Sequence, residues 1–445
     1  MNGSFAEAFT KMLVFWYVFF AVITEGFDLQ QWLDSLPTGA HVLGPAGTYQ
    51  GNFYLNKPID WNATGVILDG YGHGTVLTIK SNAVRLRNLN VKNSGDSLGR
   101  EDAGISIENS ANIELERITL RDNLFGIILR NSPAAHINGV NITGLNLSPG
   151  RRGDGIKIWY SPDAVISHCQ VKNTRDFIIW YSENCILTEN IIDSNRYGIH
   201  YMYSPRNIVK NNQLTQNSVG IYVMYSHQLL IENNDILFSR GTSGYGVGVK
   251  ESDLFRVIKN RLIENRVAIH VDNSPLSPPL RLEDRATFEK NRLALNDIGV
   301  EFIGTGPGTF FHDNDFIDNW QQVSYHGSST HQAEWESNYW SDYVGIDPNQ
   351  DGSGTPAYQT MGLFDSVMDR NEGFRLFSFG PAVTALDFAS KVIPWLLADP
   401  KAVDHSPRMQ PHGTPLHHAV SHRSILVAVV LLSIVGVIHQ LGQKI

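Results

Sequence analysis

Apolar and polar positions alternate with period two in short runs that share one form. Examples are Gly104-Ile-Ser-Ile, Gly126-Ile-Ile-Leu, Gly155-Ile-Lys-Ile, Gly198-Ile-His-Tyr, Gly220-Ile-Tyr-Val and Gly246-Val-Gly-Val. Such alternation reads as a strand with one buried face. Each run closes on a serine, and Ser110, Ser132, Ser161, Ser182, Ser204, Ser226, Ser252 and Ser274 are spaced 22, 29, 21, 22, 22, 26 and 22 residues apart. A second column, Asn190, Asn212, Asn234, Asn260, Asn291, Asn314 and Asn338, keeps the same phase. Most of its members have another Asn five residues on, as at Asn195, Asn217, Asn265, Asn296 and Asn319.

Strands this short cannot bury a face alone. Stacked at about 4.8 Å per coil, they bury a continuous column of Ile, Leu and Val. Asn tolerates left-handed backbone and can bond the coils above and below, which suits it to coil corners. The repeat therefore predicts an all-β, right-handed parallel β-helix with coils of roughly 22 residues, occupying residues 26–344. Longer intervals mark insertions at Leu145–Asp154, Arg240–Gly244 and Pro275–Arg285. Leu29, Trp32, Leu33 and Leu36 have helical spacing and are placed to cap the first coil.

Residues 1–25 hold an apolar run, Met12 to Ile23, of a length that suits a signal peptide rather than a bilayer span, with a buried N-terminal helix as the alternative. Residues 345–397 read as an irregular C-terminal cap, and 398–423 as a tether rich in His and Pro, with His405, Met409, His412, His417, His418 and His422. Residues 424–441 read as a short C-terminal transmembrane anchor, or else a docking helix. The charge balance, 35 basic against 44 acidic residues with no basic block, argues against nucleic acid as a partner. Two cysteines, Cys169 and Cys185, provide no disulfide framework, and their register keeps them apart. Cys169 beside His168 is a minor soft-metal candidate.

If Ile156, Ile199 and Ile221 point inward, Trp159, Trp180, Met202 and Met224 form an outward stripe. Lys157, Ile178, His200 and Tyr222 run beside it, with His270 two coils on. Two thioethers one coil apart with the imidazole of His200, and His227 just past the Ser226 corner, form a set suited to Cu(I). The competing reading makes the same face, with Trp159, Trp180 and Tyr222, a protein interface. Asp347, Asn349 and Asp351 followed by Gly352 open like a calcium loop, but the twelfth position is Tyr358 rather than Glu, and an Asx-turn loop without metal explains it equally. Asp102, Asp154 and Asp176 precede successive strands near Arg151, Arg152 and Arg175. They support an alternative reading as a carbohydrate-active β-helix that binds or modifies acidic polysaccharide.

Four stretches carry a family resemblance. They are the loop Ser94 to Gly104, the paired strands Gly198-Ile-His-Tyr-Met-Tyr-Ser204 and Gly220-Ile-Tyr-Val-Met-Tyr-Ser226, Asn338-Tyr-Trp-Ser-Asp-Tyr343, and Pro381 to Ala389 with Asp404-His-Ser-Pro407. Together they resemble the NosD family of periplasmic nitrous oxide reductase maturation proteins, over about residues 27–407. The resemblance implies a non-enzymatic protein working with the membrane subunit and ATPase of an ABC transporter and with a copper chaperone. The implied task is assembly of the copper-sulfide centre of nitrous oxide reductase. It also makes the two Met-Tyr-Ser strands the leading copper-contact candidates. The calcium-like loop departs from the family form, since Gly354 runs directly into Thr355 without the further Asp.

Overall fold

The computed structural model describes residues 27–273, 286–304, 308–326, 333–360 and 400–413. The expected signal peptide, the anchor at 424–441, the insertion at Pro275–Arg285, Ser274 and the stretch Pro381 to Ala389 lie outside them. The described residues up to Met409 form one compact unit. Among the described residues no helix is long and apolar enough to cross a membrane.

Three sheets wind around one core, each strand pairing in parallel with the strand one coil later, except that Tyr358–Gln359 at the end of the first sheet runs antiparallel to Val403–Asp404. Among the described residues they contain 15, 13 and 12 strands. The first two are built mostly from three- or four-residue strands. In the third, strands lengthen to four to seven residues from Ala103–Glu108 onward, and this gives the third sheet room for several outward columns. Its inward column, Ile199, Ile221, Val247, Ile269, Val300 and Val323, is in register from coil to coil and essentially sealed from solvent. Each such side chain contributes about 1.5–3 kcal/mol of burial.

The corners carry the polar ladders. Oδ1 of Asn212 accepts the backbone N–H of Asn190 at 2.9 Å, and its Nδ2 donates to Leu187 O at 3.0 Å. The same pattern links Asn234, Asn260, Asn291, Asn314 and Asn338, and the last of these donates to Asp404. Serines repeat it at the third-sheet corner, where each backbone N–H meets the hydroxyl one coil on, as in Ser182 to Ser204 and Ser204 to Ser226. Buried polar groups are thereby paired within the repeat itself.

The first coil is capped by the expected helix, Leu29–Ser35, with the Asp28 side chain accepting from Gln31 N and Leu33 buried on the core. At the other end Asp404 pairs with Trp335 and Tyr358. Arg408 reaches Asp315 at 2.7 Å, so the stretch read as the start of a tether is docked on the last coils as far as Met409.

Candidate functional site

The third sheet holds the outward residues singled out above in strict register. Trp159, Trp180, Met202 and Met224 are successive partners, and the column continues through Lys250 and Asp272. Two positions earlier runs Lys157, Ile178, His200, Tyr222, Gly248, His270 and Glu301. The second column differs from a solvent-facing row. Lys157, Ile178 and His200 are 9, 7 and 7 % exposed, and His270 and Glu301 are 2 and 3 % exposed.

Loops and neighbouring rings supply the cover. The Leu145–Asp154 insertion folds over the sheet, laying Leu145 and Leu147 on Ala103, Leu124, Phe125 and Ile128. The Ser94–Gly104 loop is tied down by Glu101, which takes Lys157 Nζ at 2.6 Å and also pairs with Arg130. Burial raises the Glu101 pKa, but these two cations outweigh it and hold the carboxyl below its usual range. Farther along, Tyr197 meets the His200 ring edge-on at 4.9 Å, and Tyr222 stacks near it at 6.2 Å. Tyr222 lies down on Gly248, where a Cβ would come within 2.6 Å of its ring.

His200 is the centre of this face. Its Nε2 stands 3.3 Å from Met224 Sδ, and its Nδ1 is 3.5 Å from Asp176 Oδ2, an ion-pair distance that is too long for a good hydrogen bond. Nδ1 is buried without a hydrogen-bond partner. Asp176 also receives Arg196 Nε at 2.9 Å. Burial pushes Asp176 up, but His200 and Arg196 prevail and its pKa is lowered. Met202 and Met224 are half-buried and directly paired across adjacent coils. Two thioethers and one imidazole nitrogen thus share one outward face, a donor set whose softness fits Cu(I) and fits hard oxygen-seeking ions poorly.

His227 does not join them. It lies past the Ser226 corner, exposed, and its backbone forms an isolated bridge to Asp253 beyond the end of the third-sheet strand Val219–Met224. Sequence neighbourhood misled here because the corner turns the chain away from the third sheet. Cys169 and His168 also separate. The thiol points inward, donating to Ser167 O at 3.2 Å, while His168 faces solvent and pairs with Glu189 at 2.7 Å. Burial pushes the Cys169 thiol up to about 11 and that of Cys185 up to about 12, so neither presents a thiolate. In the Asp347 loop the carboxylate of Asp347 accepts Asp351 N and Gly352 N at 3.2 and 2.8 Å, and that of Asp351 accepts Ser353 N at 2.9 Å. Backbone amides organise this loop, and Tyr358 is buried with its hydroxyl on Asp342. Among the described residues no group of three or more His, Cys, Asp and Glu side chains is placed to hold a metal, a count that leaves thioethers aside.

The carboxylates considered for polysaccharide chemistry are occupied. Asp154 takes both arms of Arg175 at 2.8 Å, and Asp102 takes Arg100 and the Ser97 amide. Burial, reinforced by neighbouring Asp176, raises the Asp154 pKa while Asp176 is lowered. A split pair can serve acid–base catalysis, yet both side chains are 1 % exposed beneath their arginines.

A family model described as periplasmic copper-binding protein (NosD) matches residues 135–345, and one for a right handed beta helix region matches 53–214. A probable ABC transporter binding protein NosD of Pseudomonas aeruginosa is 28 % identical over 433 residues, covering 85 % of this chain and 91 % of that one. The protein of the same name from Stutzerimonas stutzeri is 26 % identical over 417 residues, covering 82 % and 86 %. The chain belongs to the NosD family. Among solved structures, the catalytic domain of a GH87 alpha-1,3-glucanase in complex with nigerose aligns with TM-score 0.50 at 12 % identity, over 72 % of this chain and 68 % of that one. That likeness is of fold alone.

The NosD match takes in the whole stripe from Trp159 to Met224 and the His200 site. It also takes in a feature the sequence reading passed over. Directly after the stripe, Tyr160, Tyr181, Tyr203 and Tyr225 stack face to face with ring centroids 4.9, 5.2 and 5.0 Å apart. All four occupy left-handed backbone, with φ between 47° and 50°. That costs a bulky residue about 1–2 kcal/mol, and stacking at about 0.5–1.5 kcal/mol per pair offsets part of it. The signal was present as Trp-Tyr-Ser, Trp-Tyr-Ser, Met-Tyr-Ser, Met-Tyr-Ser at Trp159, Trp180, Met202 and Met224.

Proposed function

We propose that this NosD-family protein is a non-enzymatic periplasmic accessory that handles copper, together with an ABC transporter and a copper chaperone, for assembly of the copper-sulfide centre of nitrous oxide reductase. The family description and the names of the two relatives support copper handling and an ABC transporter partner. Cu(I) is the cargo, and Met202, Met224 and His200 are the residues that hold it in passing. The observation that carries this assignment is the 3.3 Å approach of His200 Nε2 to Met224 Sδ, with Met202 in register beside it. His227 drops from the set. Trp159, Trp180 and Tyr222 frame the thioethers and belong to the face that a delivering or receiving partner covers. We propose further that the apolar segment 424–441 attaches the protein to the inner membrane.

Soft-metal capture requires no open catalytic cleft, and the polysaccharide reading is disfavoured by the arginine-capped carboxylates. The test is a Cu(I) competition titration of the full chain. Met202→Ile combined with Met224→Ile should weaken binding by at least about tenfold, as loss of metal ligands does. Unchanged affinity would remove the site assignment. The wider role predicts that a strain lacking the protein makes nitrous oxide reductase without its catalytic copper centre, and a fully loaded enzyme in that strain would refute it.

A further inference from the structure

The corner after each third-sheet strand from Ala103–Glu108 to Tyr245–Lys250 is a left-handed position. Asn109, Asn131 and Glu251 fill it in the flanking coils, with φ of 50°, 48° and 46°. Asn enters this region readily and aromatic residues do not, so four consecutive tyrosines there are not explained by backbone geometry. Their rings are nearly parallel, at 8°, 6° and 12°. Trp180 joins the column against Tyr181 at 5.7 Å and 17°, and Trp159 touches Tyr160 at 5.4 Å. The tyrosines are 48, 38, 41 and 37 % exposed, which leaves them open to exchange protons with water. Each directly follows a residue of the outward stripe, and two of those residues are the half-buried thioethers Met202 and Met224.

We propose that this column is a one-electron relay that protects Met202 and Met224 from oxidation. The inference uses the position of the thioethers and stands whether or not they bind copper. An oxidant of the one-electron radical class, such as a peroxyl or metal-generated hydroxyl radical, takes an electron from a thioether and leaves a sulfur radical cation. The adjoining tyrosine returns one electron to sulfur and releases its phenolic proton to water, which restores the thioether and leaves a tyrosyl radical. Electron exchange between stacked rings about 5 Å apart, within the usual range of aromatic contacts, carries the vacancy along the column, the re-reduced phenol recovering a proton from water as the newly oxidised one releases its own. A small thiol or ascorbate-class reductant ends the sequence by donating a hydrogen atom. Without one, two neighbouring tyrosyl radicals couple through ring carbons, and each displaced ring hydrogen ends on its own phenolic oxygen. The balance is two electrons and two protons lost per dityrosine. Without the relay, the sulfur radical cation takes up water and gives a second electron to a further equivalent of the oxidant, releasing two protons and leaving the polar sulfoxide, which would remove a soft donor from the face.

The full chain, free of metal, is oxidised with a photogenerated ruthenium(III) polypyridyl complex and mapped by peptide mass spectrometry. Tyr71 and Tyr54, 69 and 48 % exposed and outside any ring stack, are internal references. The relay predicts dityrosine between Tyr181 and Tyr203 or between Tyr203 and Tyr225, ahead of any product at Tyr71, with Met202 and Met224 intact. Products distributed by exposure, led by Tyr71, would overturn it. Tyr181→Phe, Tyr203→Phe and Tyr225→Phe together keep the stack but remove the phenols. At equal oxidant dose, sulfoxide at Met202 and Met224 should then rise about fivefold or more. An unchanged sulfoxide yield in the folded triple variant would also overturn the relay, and the wild-type product pattern decides the matter if that variant fails to fold.

Discussion

One imidazole joins a thioether to a carboxylate: His200 lies 3.3 Å from Met224 through Nε2 and 3.5 Å from Asp176 through Nδ1. Metal-binding histidines commonly have a carboxylate on the nitrogen away from the metal, which fixes the ring and sharpens the donor. Asp176 stands in that place and is itself held by Arg196.

Asp176→Asn should therefore weaken Cu(I) binding by about 10- to 100-fold while both thioethers remain. Competition against a chromophoric Cu(I) chelator reads the change, with circular dichroism confirming the fold. Equal affinity in the folded variant would reduce Asp176 to a partner of Arg196.

Acid should act on Glu301. Its oxygens accept His270 Nδ1 at 2.9 Å and His326 Nε2 at 3.1 Å. Burial pushes its pKa up, but the two histidines, assisted by Arg266, hold it well below the usual range. A depressed folded-state value contributes stability that is complete above the unfolded value near 4.5 and is lost as pH falls below it. Glu301→Gln should then be less stable than the parent at pH 7, with the gap narrowing below about pH 4. Denaturant unfolding at pH 7, 5 and 3.5 measures it, and a gap that stays constant would contradict the assignment.

Asn260 tests the ladder. Its amide donates to Ile231 O at 2.9 Å and Asn291 Oδ1 at 3.0 Å, and its oxygen accepts Asn234 N at 2.8 Å. Asn260→Ala leaves several buried groups without partners and should cost about 2–4 kcal/mol, from penalties of about 1–3 kcal/mol per group. Chemical denaturation should show the loss, and a cost below about 0.5 kcal/mol, the level of an ordinary surface change, would mean that neighbouring coils re-pair the orphaned groups.

The ladders and the Trp159 to Met224 register were legible because one residue type returns at a fixed spacing, and spacing in a solenoid is position in space. Burial of the neighbouring column was not legible. Ile128 and Lys157 alternate as outward residues, yet Leu145, Leu147 and Glu101 arrive from insertions whose path no periodicity encodes. His227 failed for a related reason: one residue past the corner, the chain has already left the third sheet. The seat of Tyr222 on Gly248 depends on a residue one coil away that has no side chain to notice. The tyrosine column could have been found, since it repeats with the serines, but attention to inward and outward alternation passes over a corner that is neither.

The asparagine ladder ends on Asp404, a carboxylate that can accept from Asn338 N and Nδ2 and from Trp340 Nε1 at 2.8, 3.1 and 3.2 Å but offers nothing to a further coil. The chain supplies this stop 66 residues after Asn338. A nascent solenoid emerging amino end first can wind coil upon coil, yet its last buried donors stay unmatched until residue 404 has been made. Completion of the fold is in this way tied to synthesis of Asp404, and a product truncated before it would carry an unfinished end that quality-control proteases can recognise.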